Sequence, residues 1–136
     1  MHSSVRLSAL LFTIVVPCSA VACGSTSNNV QRDLGDVTAG SYTVHILQEG
    51  EFLPSTTTKY AIKPTGTTPK PDSVSCWFGA QTADASTHVT ATYDPNDADF
   101  DCLVAAPATV AAGDLLWFNL VYGTQTATGS VATQAQ

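Results

Sequence analysis

Ser73-Val74-Ser75-Cys76-Trp77-Phe78-Gly79 is the stretch on which the fold turns. Val74, Cys76 and Phe78 fall on one face and Ser73, Ser75 and Trp77 on the other, the period of two expected of a half-buried β-strand. Cys76 is one of two cysteines that follow residue 23, and the other, Cys102, sits in Phe100-Asp101-Cys102-Leu103-Val104. There Phe100, Cys102 and Val104 again share a face. Both thiols therefore point into one apolar core, and a Cys76–Cys102 disulfide is expected to tie the two strands. A small exported domain uses such a bridge to supplement a modest core.

The same alternation spreads outward from this pair. Strands are predicted at Ser41 to Leu47, Thr57 to Lys63, Ser73 to Gly79, Thr87 to Tyr93, Phe100 to Val104, Leu115 to Tyr122 and Gln125 to Thr133. Leu115 to Tyr122 is apolar on both faces, as a central strand should be, with Asn119 the one polar intruder. The breaks between strands are rich in turn formers; Pro64 to Asp72 alone holds three prolines and is expected to be an exposed, stiffened loop. Helical spacing of useful length is not evident. The fold class that follows is all-β, an antiparallel sandwich of about seven strands with one disulfide. In strand count and central disulfide it resembles the immunoglobulin-like sandwich. The likeness is architectural and implies no activity.

Ahead of the sandwich, Met1 to Arg6 carries one positive charge, Leu7 to Val16 is apolar, and Ala20-Val21-Ala22 supplies small residues for cleavage. Residues 1–22 read as an export signal, too short in its apolar run to cross a bilayer as a permanent helix. Ala20-Val21-Ala22-Cys23, followed by Gly24, resembles the lipobox of bacterial lipoproteins. The resemblance implies lipidation of Cys23, a membrane anchor through its acyl chains, and a place in the bacterial cell envelope, on the outer membrane if the host has two. Cleavage by the ordinary signal peptidase would instead leave a periplasmic or secreted protein. Residues 23–40, small and polar, read as a flexible tether, and residues 41–136 as the sandwich domain.

Of the 136 residues, four Lys/Arg and eleven Asp/Glu follow Cys23, a net charge of −7 on the exported part. Such a surface repels a phosphate backbone, so nucleic acid is not an expected partner. An enzyme is not expected either: Gly-x-Ser-x-Gly and glycine-rich phosphate loops are missing from the sequence, and neither His45 nor His88 has an acid spaced as in known hydrolases. An enzyme of unrecognised type stands only as a third reading.

Three groups of residues invite a ligand. Asp94, Asn96, Asp97, Asp99 and Asp101 cluster carboxylates as a calcium ion requires; the twelve-residue calcium loop does not fit, because Cys102 replaces its glycine and Ala108 its last acid. The competing reading is a solvated turn. His45, His88, Cys76 and Cys102 offer soft ligands without any CxxC or HxxxH spacing, and exported cysteines oxidise. Trp77, with Tyr122, offers a stacking surface for a sugar or an aromatic side chain if it faces solvent, or a cover for the second face of the sandwich if it does not. The function expected is that of a non-catalytic envelope lipoprotein whose sandwich binds a protein or supports an assembly, with an exported carbohydrate- or calcium-binding module as the alternative. No cofactor is expected beyond that calcium.

Overall fold

The computed structural model describes residues 30–111 and 113–134. Residues 1–22, read from the sequence as an export signal, Cys23 and the first residues of the expected tether lie outside them. Nine strands form two antiparallel sheets: β1 (Gln31–Ala39), β2 (Tyr42–Glu49), β3 (Thr57–Pro64), β4 (Ser73–Phe78), β5 (Val89–Thr90), β6 (Thr92–Asp94), β7 (Asp99–Ala105), β8 (Leu115–Tyr122) and β9 (Gln125–Ala132). One sheet runs β1-β2-β3-β7-β6 and the other β5-β4-β8-β9. With β1 set aside, β2-β3-β7-β6 follows the A-B-E-D order of an immunoglobulin-like domain and β4-β8-β9 its C-F-G order, with β5 added at the edge.

The inner faces meet in a core of Val44, Ile46, Tyr60, Ile62, Val74, Phe100, Val104, Leu116, Phe118 and Leu120 around the disulfide. Cys76 on β4 and Cys102 on β7 are bonded across the two sheets, 26 residues apart in sequence, with Cα atoms 6.6 Å from each other. Antibody domains bridge B to F. Here the equivalents of C and E are joined, so the architecture is shared and the staple is not.

Two departures raise the strand count from seven. Residues 31–39, expected within the tether, form β1 and pair with β2 along their length. A β-bulge between Asp33 and Gly35 shifts the register, so the inward side chains fall at Arg32 and Leu34 and then at Val37 and Ala39, which hides the period of two. The strand expected over Thr87 to Tyr93 is split. After a 3-10 turn at Ala85–Thr87, β5 pairs with β4 and β6 with β7, and Ala91 is the crossing point, its N–H donating to Val74 O at 2.8 Å. Val89, Ala91 and Tyr93 still pack on the core.

The sheet edges close where β1 meets β9. Gly129 makes this approach feasible: a Cβ there would lie 2.6 Å from Phe118 Cζ, 3.0 Å from Thr38 O and 3.1 Å from Ala39 Cβ. Near the start of β1, buried Gln48 of β2 binds the extended residues after β9, its amide donating to Gln134 O and accepting from Gln134 N–H.

Candidate functional site

Strand direction sorts the connections into two ends. The chain enters β1 at Gln31, which lies opposite Glu49, and this end also gathers the loops between β2 and β3, β4 and β5, and β7 and β8. The other end collects the β1–β2 turn, the Pro64 to Asp72 segment, the β6–β7 loop and the β8–β9 turn. The Pro64 to Asp72 loop, the acidic segment between Asp94 and Asp99, and Tyr122 all fall at this second, distal end.

Tyr42 and Tyr122 stack between the sheets there, with ring centroids 4.3 Å apart and planes inclined by 27°. The Tyr122 hydroxyl donates to Pro69 O at 2.9 Å, and Gly123 N–H donates to Asp72 Oδ2. The proline-rich loop is thereby pinned at both the ring and the β8–β9 turn. Beside the rings opens a groove of about 550 Å³ lined by Ser41, Tyr42, Tyr122, Gln125, Thr126 and Thr128 among others. Aromatic faces flanked by hydroxyls and amides are the chemistry that recognises sugars or an extended peptide.

Trp77 does not take part. It is 1% exposed, on the outer face of its sheet opposite Trp117, and the segment from Gly79 to His88 folds over it. The His88 ring stacks on Trp77 at 3.7 Å between centroids, while Trp77 Nε1 donates to Ala80 O and Trp117 Nε1 to Gly79 O. Tyr122 belongs to the opposite, inner face, five positions along β8 from Trp77's partner. A joint platform of Trp77 and Tyr122 is therefore ruled out by strand parity, and Trp77 covers the second face of the sandwich. Tyr42 is the residue that sequence reasoning missed; it was legible only as an inward strand position.

The acidic segment turns between β6 and β7. Asp94 and Asp99 are the last cross-strand pair, and the loop between them is held by Asn96 N–H donating to Asp94 Oδ1 and by Ala98 at φ 58°. Carboxylate oxygens of Asp94, Asp97 and Asp99 lie within 4.8 Å of one another. Asp99 is 8% exposed, and its Oδ1 is shut off from solvent without a hydrogen-bond partner. Burial, and then the neighbouring charges of Asp101, Asp97 and Asp94, hold the Asp99 carboxyl above its ordinary pKa. Asp101 leans elsewhere, 3.6 Å from Lys59 Nζ, which also binds Glu49 at 2.9 Å. Asn96 enters through its backbone. Three of the five candidate ligands thus converge.

The soft-metal group does not assemble. Cys76 and Cys102 are bonded to each other, His88 lies on Trp77, and His45 bridges two carboxylates on the outer face of β1 and β2, Nδ1 to Asp36 Oδ1 at 2.7 Å and Nε2 to Asp33 Oδ1 at 3.0 Å. Among the described residues no helix is long and apolar enough to cross a membrane. Comparison with protein-family models, with curated proteins and with solved structures found no match to the chain.

Proposed function

We propose that this chain is a lipid-anchored module of a bacterial cell envelope that binds a partner protein at the distal end of its sandwich and has no catalytic role. The observation that carries the reading is polarity: the chain enters at one end, and the Tyr42–Tyr122 groove with its pinned proline loop occupies the other. With β1 beginning at Gln31, seven residues separate Cys23 from the folded domain, a reach of about 25 Å when fully extended. An anchor at Cys23 then keeps the entry end near the lipid surface and turns the groove away from it.

The non-catalytic part of the reading is supported by the structural employment of the reactive side chains. The cysteines are cross-linked, His45 is held by two aspartates and His88 by Trp77. The disulfide itself suits an oxidising, exported location.

The test is site-specific photo-crosslinking in the producing cell, with the crosslinker at Ser41 or Thr126 on the groove rim and at Ser86 near the entry end. A discrete protein adduct from the rim positions, lost with Tyr122→Ala and absent from Ser86, is the expected result. Adducts from Ser86 alone would reverse the assignment of the two ends. Absence of any adduct, with saturable binding of cell-wall glycan fragments by calorimetry, would replace the protein partner with a sugar.

A further inference from the structure

We propose that Asp94, Asp97 and Asp99 form a calcium site at the β6–β7 hairpin. Calcium sits 2.3–2.6 Å from its oxygen ligands, so one ion bridges oxygens up to about 5 Å apart; the three carboxylate oxygens here fall within 4.8 Å of one another. Nothing has to move far for one ion to touch all three.

The second, independent observation is Asp99 itself. The residue is more than nine-tenths buried, and its Oδ1 has neither solvent nor a hydrogen-bond donor to compensate it. A buried carboxylate left in that condition is strongly unfavourable when ionised unless a cation or donor meets it. Among the described residues no ion pair reaches Asp94, Asp97 or Asp99, and Lys59 is engaged by Glu49 and Asp101, so the negative charge at the hairpin is not paired by a neighbouring side chain. A divalent ion supplies the pairing. Its remaining coordination positions are open to water and loop carbonyls.

The ligand set differs from the twelve-residue helix-loop-helix site. Asp94 ends one strand, Asp99 begins the next, and Asp97 lies in the turn between them, so a hairpin rather than a helix pair frames the ion. Three carboxylates without a bidentate glutamate suit the weak range of extracellular modules, roughly 10⁻⁴ to 10⁻³ M. That range is useful only outside the cytoplasm. The adjoining Tyr93 ring carries Lys70 of the proline loop, Nζ 4.2 Å from its centroid, so an ion here stiffens the distal end of the sandwich.

The test uses the purified full-length chain, titrated with calcium chloride by isothermal calorimetry and melted with and without calcium at about 10 mM, above the expected affinity range, against sodium chloride of matched ionic strength. One ion per chain and a Tm rise of several degrees are expected. Asp97→Asn, an exposed turn substitution, and Asp99→Asn should each weaken calcium by roughly tenfold or more, since affinity follows the number of charged ligands. In calcium-free buffer Asp99→Asn should melt at or above the parent, because it removes an uncompensated buried charge, and below it once calcium is added. Absence of saturable heat, or a Tm response that persists unchanged in Asp97→Asn, overturns the site even if Asp99→Asn fails to fold.

Discussion

Gly129→Ala sets two known effects against each other, and the structure decides the sign. Glycine in a strand interior is ordinarily a weakness, and replacing it with alanine gains roughly 0.5–1 kcal/mol through the unfolded chain. Here the new Cβ would meet Phe118 Cζ at 2.6 Å and the Thr38 carbonyl at 3.0 Å. Phe118 is fully buried and cannot swing to solvent, and Thr38 O belongs to the backbone of β1. Relief must come from displacing the Phe118 ring within a packed core or from opening the β1–β9 edge, and overpacking of this kind costs about 1–3 kcal/mol. Neither the ring nor the carbonyl can swing clear, so the cost lies in the upper part of that range, about 2–3 kcal/mol, and against a gain of about 0.5–1 kcal/mol the net loss is about 1–2.5 kcal/mol. At about 4–8 °C per kcal/mol for a domain of about this size, Tm should fall by roughly 4–20 °C. Denaturant melts of the parent, Gly129→Ala, Phe118→Leu and the double variant give the coupling directly. The double variant should lose less than the sum of the singles, because the shorter side chain vacates the space the methyl needs. Gly129→Ala equal to or more stable than the parent, or strict additivity in the cycle, would refute the close-approach argument.

Other outcomes follow from the same structure. Tyr60 is fully buried with its hydroxyl unpartnered, and burial pushes its pKa far up; Tyr60→Phe should therefore hold or raise stability, by up to about 1–2 kcal/mol, and a marked loss in a urea melt would reveal a hydrogen bond the geometry lacks. Reducing the Cys76–Cys102 bond, which closes a 26-residue separation, should lower stability by about 3–4 kcal/mol in the chain-entropy picture, read as a drop in the denaturant midpoint; an unchanged midpoint would contradict it. His45 has its pKa raised, first by the hydrogen bond to Asp36, which desolvation partly offsets, and then by the charges of Asp33 and Asp36. A raised folded-state pKa gives stability that is fully present below the ordinary histidine value near 6.5 and lost as pH rises through the folded value. Amide exchange in β1 should accordingly quicken between about pH 6 and 8 beyond its intrinsic rate, and His45→Gln should remove that excess; an excess that survives the substitution would sink the assignment.

What the chain discloses about itself follows physical lines. β8 was legible to the residue because a central strand is apolar on both faces, and the disulfide because Cys76 and Cys102 each share a face with bulky apolar neighbours two positions away. β1 was not, since the Asp33–Gly35 bulge resets the alternation and polar residues dominate its outer side. The break at Ala91 was invisible because inward and outward residues keep their parity while the backbone changes sheets. Trp77 read correctly as facing away from Cys76, yet its burial depends on ten residues from Gly79 to His88 folding back, which no local pattern announces. At the distal end the carboxylates stood out as a cluster, but only the hairpin selects Asp94, Asp97 and Asp99 from it. The Tyr42–Tyr122 contact joins two sheets across eighty positions of chain, and period-two reasoning places each ring inward without saying that they touch.

Mass spectrometry of the intact chain, extracted in detergent from the membranes of the producing cell, tests the anchored-module account most directly. The account requires an N-terminus at Cys23 carrying acyl mass, with Cys76 and Cys102 oxidised. An unmodified chain recovered from the soluble fraction, or one that retains residues 1–22, would contradict it.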